Sequence, residues 1–133
     1  MRFIKGKIER ISDLPNVYFD TSFVMDSLVY KVFFDHVDPA KVMYGTDLPI
    51  SEVRGKRVWI NNAWVDVSRD RLSWTASQDP AHPVQGTFMS YEMIRAMRDG
   101  AAEAGLSDED LRPIFFDNGM RLIHDVQKRM GYK

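Results

Sequence analysis

Apolar residues recur along this chain with two different periods. Over residues 3 to 12, Phe3, Ile4, Ile8 and Ile11 fall on one helical face, and Asp13-Leu14-Pro15 ends the run. The spacing predicts a short amphipathic helix, the tail of a longer one. Asn16-Val17-Tyr18-Phe19-Asp20 is compact and β-prone. Thr21-Ser22 then offers an N-cap for a helix over 23 to 36, with Val24, Leu28, Val32 and Phe33 as its apolar positions. Asp38-Pro39 breaks that helix, and Lys41 to Tyr44 reads as a second strand. Strand, helix and strand within about 30 residues make a βαβ unit, whose strands pair in parallel through a right-handed crossover.

The pattern changes after Pro49. Arg57-Val58-Trp59-Ile60 and Trp64-Val65-Asp66-Val67 flank Asn61-Asn62-Ala63, which predicts a β-hairpin inserted after the second strand. Residues 68 to 87 have no periodicity and read as a long loop. From 88 to 104 the positions Met89, Met93, Ala96, Met97 and Ala101 restore helical spacing, stopped at Gly105. Ser107-Asp108-Glu109-Asp110 starts another helix with acidic residues at its positive end, and Pro113 is expected to bend or split it. A last helix from Asn118 to Met130 carries Met120, Ile123, Val126 and Met130 on one stripe, with Lys128 and Arg129 near its C-terminus.

A chain of 133 residues makes one domain, about half of the ~250 residues that a closed (β/α)₈ barrel takes. Its 18 basic and 19 acidic residues give a net charge of −1, which points to neither nucleic acid nor an anionic membrane as partner. The absence of cysteine removes disulfides, thiolate metal sites and cysteine nucleophiles, and suits a reducing cytoplasmic compartment. No stretch approaches the ~20 apolar residues of a membrane span, and no Gly-x-Ser-x-Gly, phosphate-loop or dinucleotide-binding motif occurs.

Candidate chemistry concentrates on Tyr44-Gly45-Thr46-Asp47-Leu48-Pro49, which delivers a carboxylate to the end of the second predicted strand. In parallel α/β folds that end faces the active site. Asp, Gly and Pro are also the usual turn formers, so the segment by itself reads first as a strand-terminating turn. The three histidines read most simply as structural or solvated: His36 near a helix C-terminus, His82 in the long loop, His124 beside the last apolar stripe. Either Trp59, Trp64 and Trp74 shape a substrate pocket, or Trp59 and Trp64 pair across the hairpin and anchor it to the body or to another subunit. Arg54, Lys56 and Arg57 form a small basic cluster beside them, a solvated loop or a seat for a carboxylate substrate.

Three segments together resemble the C-terminal part of the TIM-barrel amidohydrolases, in the branch called amidohydrolase 2. They are Asn16 to Ser22 as the seventh strand, Asp38-Pro39-Ala40-Lys41-Val42-Met43-Tyr44-Gly45-Thr46-Asp47-Leu48-Pro49 as the eighth, and Ile114 to Ile123 as the closing helix. The resemblance implies an α/β fold, a partial (β/α)₈ barrel made of the last two parallel βα units, with a hairpin insertion and C-terminal helices. It also implies that Asp47 is both metal ligand and catalytic proton acceptor in a metal-dependent hydrolase or decarboxylase of small molecules. Such a carboxylate, touching a divalent ion and its water, takes the water's proton and later passes it to the leaving group. The family's zinc or manganese is also held by a His-x-His pair on the first strand and by residues of the middle strands. No His-x-His pair occurs here. The expectation is therefore a chain that does not hold the metal alone, and that works with a complementary barrel piece or persists as a non-catalytic binding or assembly module. Two parallel strands with uncovered edges further predict self-association into a homo-oligomer, through those edges or through apolar helix faces. A third reading rests on Val17-Tyr18-Phe19-Asp20-Thr21-Ser22-Phe23-Val24, which also resembles the opening of a PIN-type metal-dependent ribonuclease, with Asp47 as a second acid; the early position of the Gly-Thr-Asp-Leu-Pro segment, the charge balance and the closing helix speak against it.

Overall fold

The computed structural model describes residues 2–60, 63–70, 72–76, 81–82 and 85–132, with only the backbone for 2–5. Its elements are α1 (Arg2–Ile11), β1 (Phe19–Asp20), α2 (Ser27–Phe34), β2 (Val42–Met43), β3 (Gly55–Ile60), β4 (Ala63–Ser68), α3 (Met89–Glu103), α4 (Asp108–Phe115) and α5 (Asp117–Met130). Two small sheets accompany the five helices, and among the described residues they do not close a barrel.

β1 and β2 pair in parallel, Phe19 opposite Val42 and Asp20 opposite Met43, so the βαβ reading stands. The strands are shorter than their sequence runs. Pro39–Lys41 winds into a 3₁₀ turn capped by the Asp38 carboxylate, which takes Lys41 out of β2. α2 also begins later than Thr21-Ser22 suggested, because Asp26 is its cap and accepts from the Leu28 amide at 2.9 Å. Asp, like Thr, satisfies an open helix N-terminus well, and here it releases Thr21 for another task.

The main core joins Tyr30, Phe34 and Val37 from α2 and its exit to Val42 of β2, Ala96, Met97 and Ala101 of α3, and Leu111 and Ile114 of α4. A second cluster, Met25, Met89 and Met93, lies under Phe23 and Val53. α2 and α3 approach closely at Gly100, where an added Cβ would overlap the Ser27 carbonyl oxygen and stand 2.5 Å from the Tyr30 Cβ. The helix-period reading of α3 is correct and Gly105 ends it with φ 81°. α4 opens on a capping box in which the Ser107 hydroxyl and the Asp110 carboxylate each accept from the other residue's backbone amide. Pro113 lies in the last turn of α4, and the chain breaks into α5 three residues later at Phe116.

α5 is tied to β2 by Asn118, which is buried and donates through Nδ2 to the carbonyls of Pro39 and Val42, both at 2.8 Å. The Tyr44 amide donates to the Ile114 carbonyl at 2.8 Å. The outer edge of β2, expected to be uncovered, is thus partly satisfied from within. The stripe on α5 points the other way: Ile123, Val126 and Met130 are 50%, 45% and 64% exposed. No helix among the described residues is long and apolar enough to cross a membrane.

Candidate functional site

The exits of β1 and β2 lie side by side and are sewn together by one hydroxyl. The Thr21 amide continues the ladder to the Met43 carbonyl at 3.2 Å. Its Oγ1 accepts from the Gly45 amide at 3.1 Å and donates to the Gly45 carbonyl at 3.3 Å. This clamp forces a close approach: a Cβ at position 45 would stand 2.5 Å from the Ser22 hydroxyl and 3.4 Å from Asp20 Oδ1. Glycine is the residue that allows the two exits to meet. Asp20 is exposed and turns its Oδ1 back to accept from the Ser22 amide at 2.8 Å.

Asp47 lies just beyond this junction. Its backbone is left-handed, φ 58°, a conformation that Asp tolerates better than most residues. Its carbonyl accepts from the amides of Ile50 and Ser51 at 3.0 and 3.4 Å, closing the turn that leads into a 3₁₀ segment at Ile50–Glu52. The side chain is exposed, and among the described residues its carboxylate has no hydrogen bond or ion pair.

Tyr30 supports the junction from below. Its hydroxyl donates to the Thr21 carbonyl at 3.3 Å, and burial pushes its ionisation well above the usual tyrosine range. Tyr44, at the exit of β2, is pushed up as well, by burial first and by the nearby Glu52 second.

The hairpin is attached to the same end of the sheet. Arg57 of β3 makes a two-pronged ion pair with Asp66 of β4, Nε to Oδ1 at 2.8 Å and Nη2 to Oδ2 at 3.0 Å. Its guanidinium packs 3.8 Å from the Trp64 ring centre and 4.5 Å from that of Phe23, and its amide donates to Met25 Sδ. Phe23, with φ 62°, also meets Trp74 edge-on at 6.1 Å. Phe23, Trp64 and Trp74 therefore belong to one aromatic cluster that holds the insertion against the loop leaving β1. Trp59 lies opposite Trp64 in the ladder, as the cross-strand anchor reading required, and both rings are largely exposed.

The basic cluster is dispersed. Arg54 covers Phe88 at 4.5 Å, Lys56 Nζ is 3.6 Å from the buried Glu92, and Arg57 is committed to Asp66. An open groove of about 630 Å³ lies between β3 and α3, lined by Lys56, Thr87, Glu92 and Arg95 among others, and neither Asp20 nor Asp47 lines it. The histidines do not converge either. His36 lies 3.9 Å from Glu9, while His82 and His124 are exposed. Among the described residues no three His, Cys, Asp or Glu side chains are grouped to hold a metal ion.

No family model, no curated protein and no solved structure matches this chain. The site is therefore defined by its own geometry. Four residues carry no conspicuous signature of these roles: Thr21 reads as a helix cap, Asn118 falls within a helix pattern, and the Arg57–Asp66 pair is hidden by the turn. A three-residue turn at Asn61-Asn62-Ala63 would set Arg57 against Val67. The observed ladder pairs Ile60 with Ala63 and so brings Arg57 opposite Asp66; Asn61 and Asn62 lie outside the described residues.

Proposed function

We propose that this chain is the C-terminal portion of an amidohydrolase-type barrel, contributing Asp47 to a metal-dependent hydrolysis or decarboxylation of a small molecule in the cytoplasm. The observation that carries this reading is the parallel β1–β2 pair whose exits are clamped by Thr21 and Gly45, with an unengaged, exposed carboxylate just past the second exit. A buried or ion-paired Asp47 would have no spare donor; this one has both oxygens available. In that role a divalent ion, zinc or manganese, would supply the activation of water, and Asp47 would offer it one ligand oxygen and serve as the proton acceptor. The remaining ligands belong to a complementary piece of the barrel, since His36, His82 and His124 do not gather around Asp47. The lack of cysteine supports the cytoplasmic setting.

The test is metal uptake when the chain is combined with a polypeptide that carries the His-x-His strand of such a barrel. Stoichiometric zinc or manganese is expected with the wild-type sequence and is lost with Asp47→Ala. Uptake indifferent to that substitution would overturn the assignment. The scattered histidines also favour a second reading, a binding or assembly module built on the same scaffold. It predicts no Asp47-dependent metal under any combination.

A further inference from the structure

We propose that α5 is a self-association surface on which a second copy of this chain packs its own α5 in the antiparallel direction. This goes beyond the catalytic reading and does not depend on it. The argument begins with what the helix leaves uncovered. Phe116, at its N-cap, is 66% exposed, and Ile123, Val126 and Met130 follow it along the helix with half or more of their surface in solvent apart from Val126, just under half. Phe116, Ile123 and Met130 are spaced by seven residues, so they lie within about 20° of one line along the helix, with Val126 beside it. Met120, partly buried, borders the other side. A narrow seam of this kind is the pattern of a helix that meets one other helix. The first turns of α5 are held on another side: Asn118 binds the carbonyls of β2 and its 3₁₀ approach, and Arg121 donates to the Ala40 carbonyl, while the charged and polar residues His124, Asp125, Gln127, Lys128 and Arg129 face solvent.

A second copy is the occupant that this seam fits. Antiparallel pairing with Ile123 opposite Ile123 sets Phe116 level with Met130 of the other copy at both ends, so every large apolar group meets another. Charge fixes the direction. Asp117 occupies the first turn of α5 and Lys128 and Arg129 the last. Antiparallel helices bring each acidic start beside a basic end and align their dipoles favourably, whereas parallel helices stack two basic ends. The alternative surfaces are weaker. The outer edge of β2 is occupied by Asn118 and by the Tyr44–Ile114 bond, and β1 is two residues long.

Cysteine crosslinking of the intact chain tests the pairing directly, because the natural sequence has no cysteine. Ile123→Cys is expected to form a disulfide-linked dimer under mild oxidation. Met130→Cys alone is expected not to, while a mixture of Phe116→Cys and Met130→Cys chains gives the mixed dimer. Sedimentation should show a concentration-dependent dimer that is lost in the double substitution Ile123→Glu, Val126→Glu, with the circular dichroism unchanged because both positions are exposed. Self-crosslinking of Met130→Cys would overturn the antiparallel arrangement. A monomer up to millimolar concentration, or a dimer abolished by Trp64→Ala and Ile60→Glu but not by the α5 substitutions, would overturn the surface itself. So would a chain that stays monomeric alone and covers α5 only when a complementary barrel piece is added.

Discussion

Asp47 combines two properties that substitution can separate. Its left-handed backbone favours Asp, Asn or Gly, and its carboxylate is free of partners among the described residues. Asp and Ala both carry a β-carbon, but Ala lacks the tolerance of Asp for a left-handed backbone, a conformation that costs roughly 1–2 kcal/mol for ordinary residues, so thermal unfolding should show a loss of no more than about that size. Asp47→Asn should leave the melting temperature nearly unchanged while still removing the charge. If the two variants are equally destabilised, the cost lies in the carboxylate and not in the backbone. The motif was legible because its chemistry is local: Gly, Thr, Asp and Pro in succession announce a strand exit and a turn. Thr21 was not legible. A threonine before a helical run has two ordinary uses, capping the helix or reaching sideways to a neighbouring strand, and the choice depended on whether Asp26 could cap instead.

Among the elements, the crossing of α2 and α3 is the most demanding. Gly100 lets the backbones approach until an added methyl would collide with the Ser27 carbonyl and Tyr30. The Ser27 carbonyl, and the Lys31 amide nitrogen at 2.9 Å, are backbone groups that cannot rotate away. Gly100→Ala should therefore destabilise by about 1–3 kcal/mol despite its better helix propensity, measured as a lowered midpoint in urea. An unchanged or raised midpoint would mean that the helices slide apart at little cost. Helix periods located α3, α4 and α5 to within a residue or two, since 3.6-residue repetition is written into every turn. The strands were overestimated. β-prone residues such as Val17 and Tyr18 satisfy a local preference, yet pairing partners exist only where Phe19 and Asp20 meet Val42 and Met43.

For the whole molecule, the buried Tyr30 couples the core to the strand junction. Its hydroxyl donates to the Thr21 carbonyl, and burial raises its pKa in the folded state. The unfolded chain releases that proton near pH 10, while the folded chain retains it. The contribution of Tyr30 is fully present below the ordinary tyrosine pKa and is lost as pH rises beyond it. Alkaline titration followed by tyrosinate absorbance should show one tyrosine that ionises only together with loss of circular dichroism, and Tyr30→Phe should remove that late step. A smooth titration of all five tyrosines without unfolding would contradict this.

The sequence alone determined the order of elements, the parallel pairing of β1 and β2, the hairpin and the carboxylate at the exit of β2, because each follows from periodicity and turn chemistry within a few residues. Tertiary structure decided what those signals could not carry. It spread the Arg54, Lys56 and Arg57 cluster over three different partners, gave Thr21 and Asn118 to the strands, and turned the stripe of α5 to solvent. The physical reason is that an apolar period specifies a face but not its neighbour, and a polar side chain specifies a donor but not its acceptor; both are chosen only when distant segments compete for the same contact.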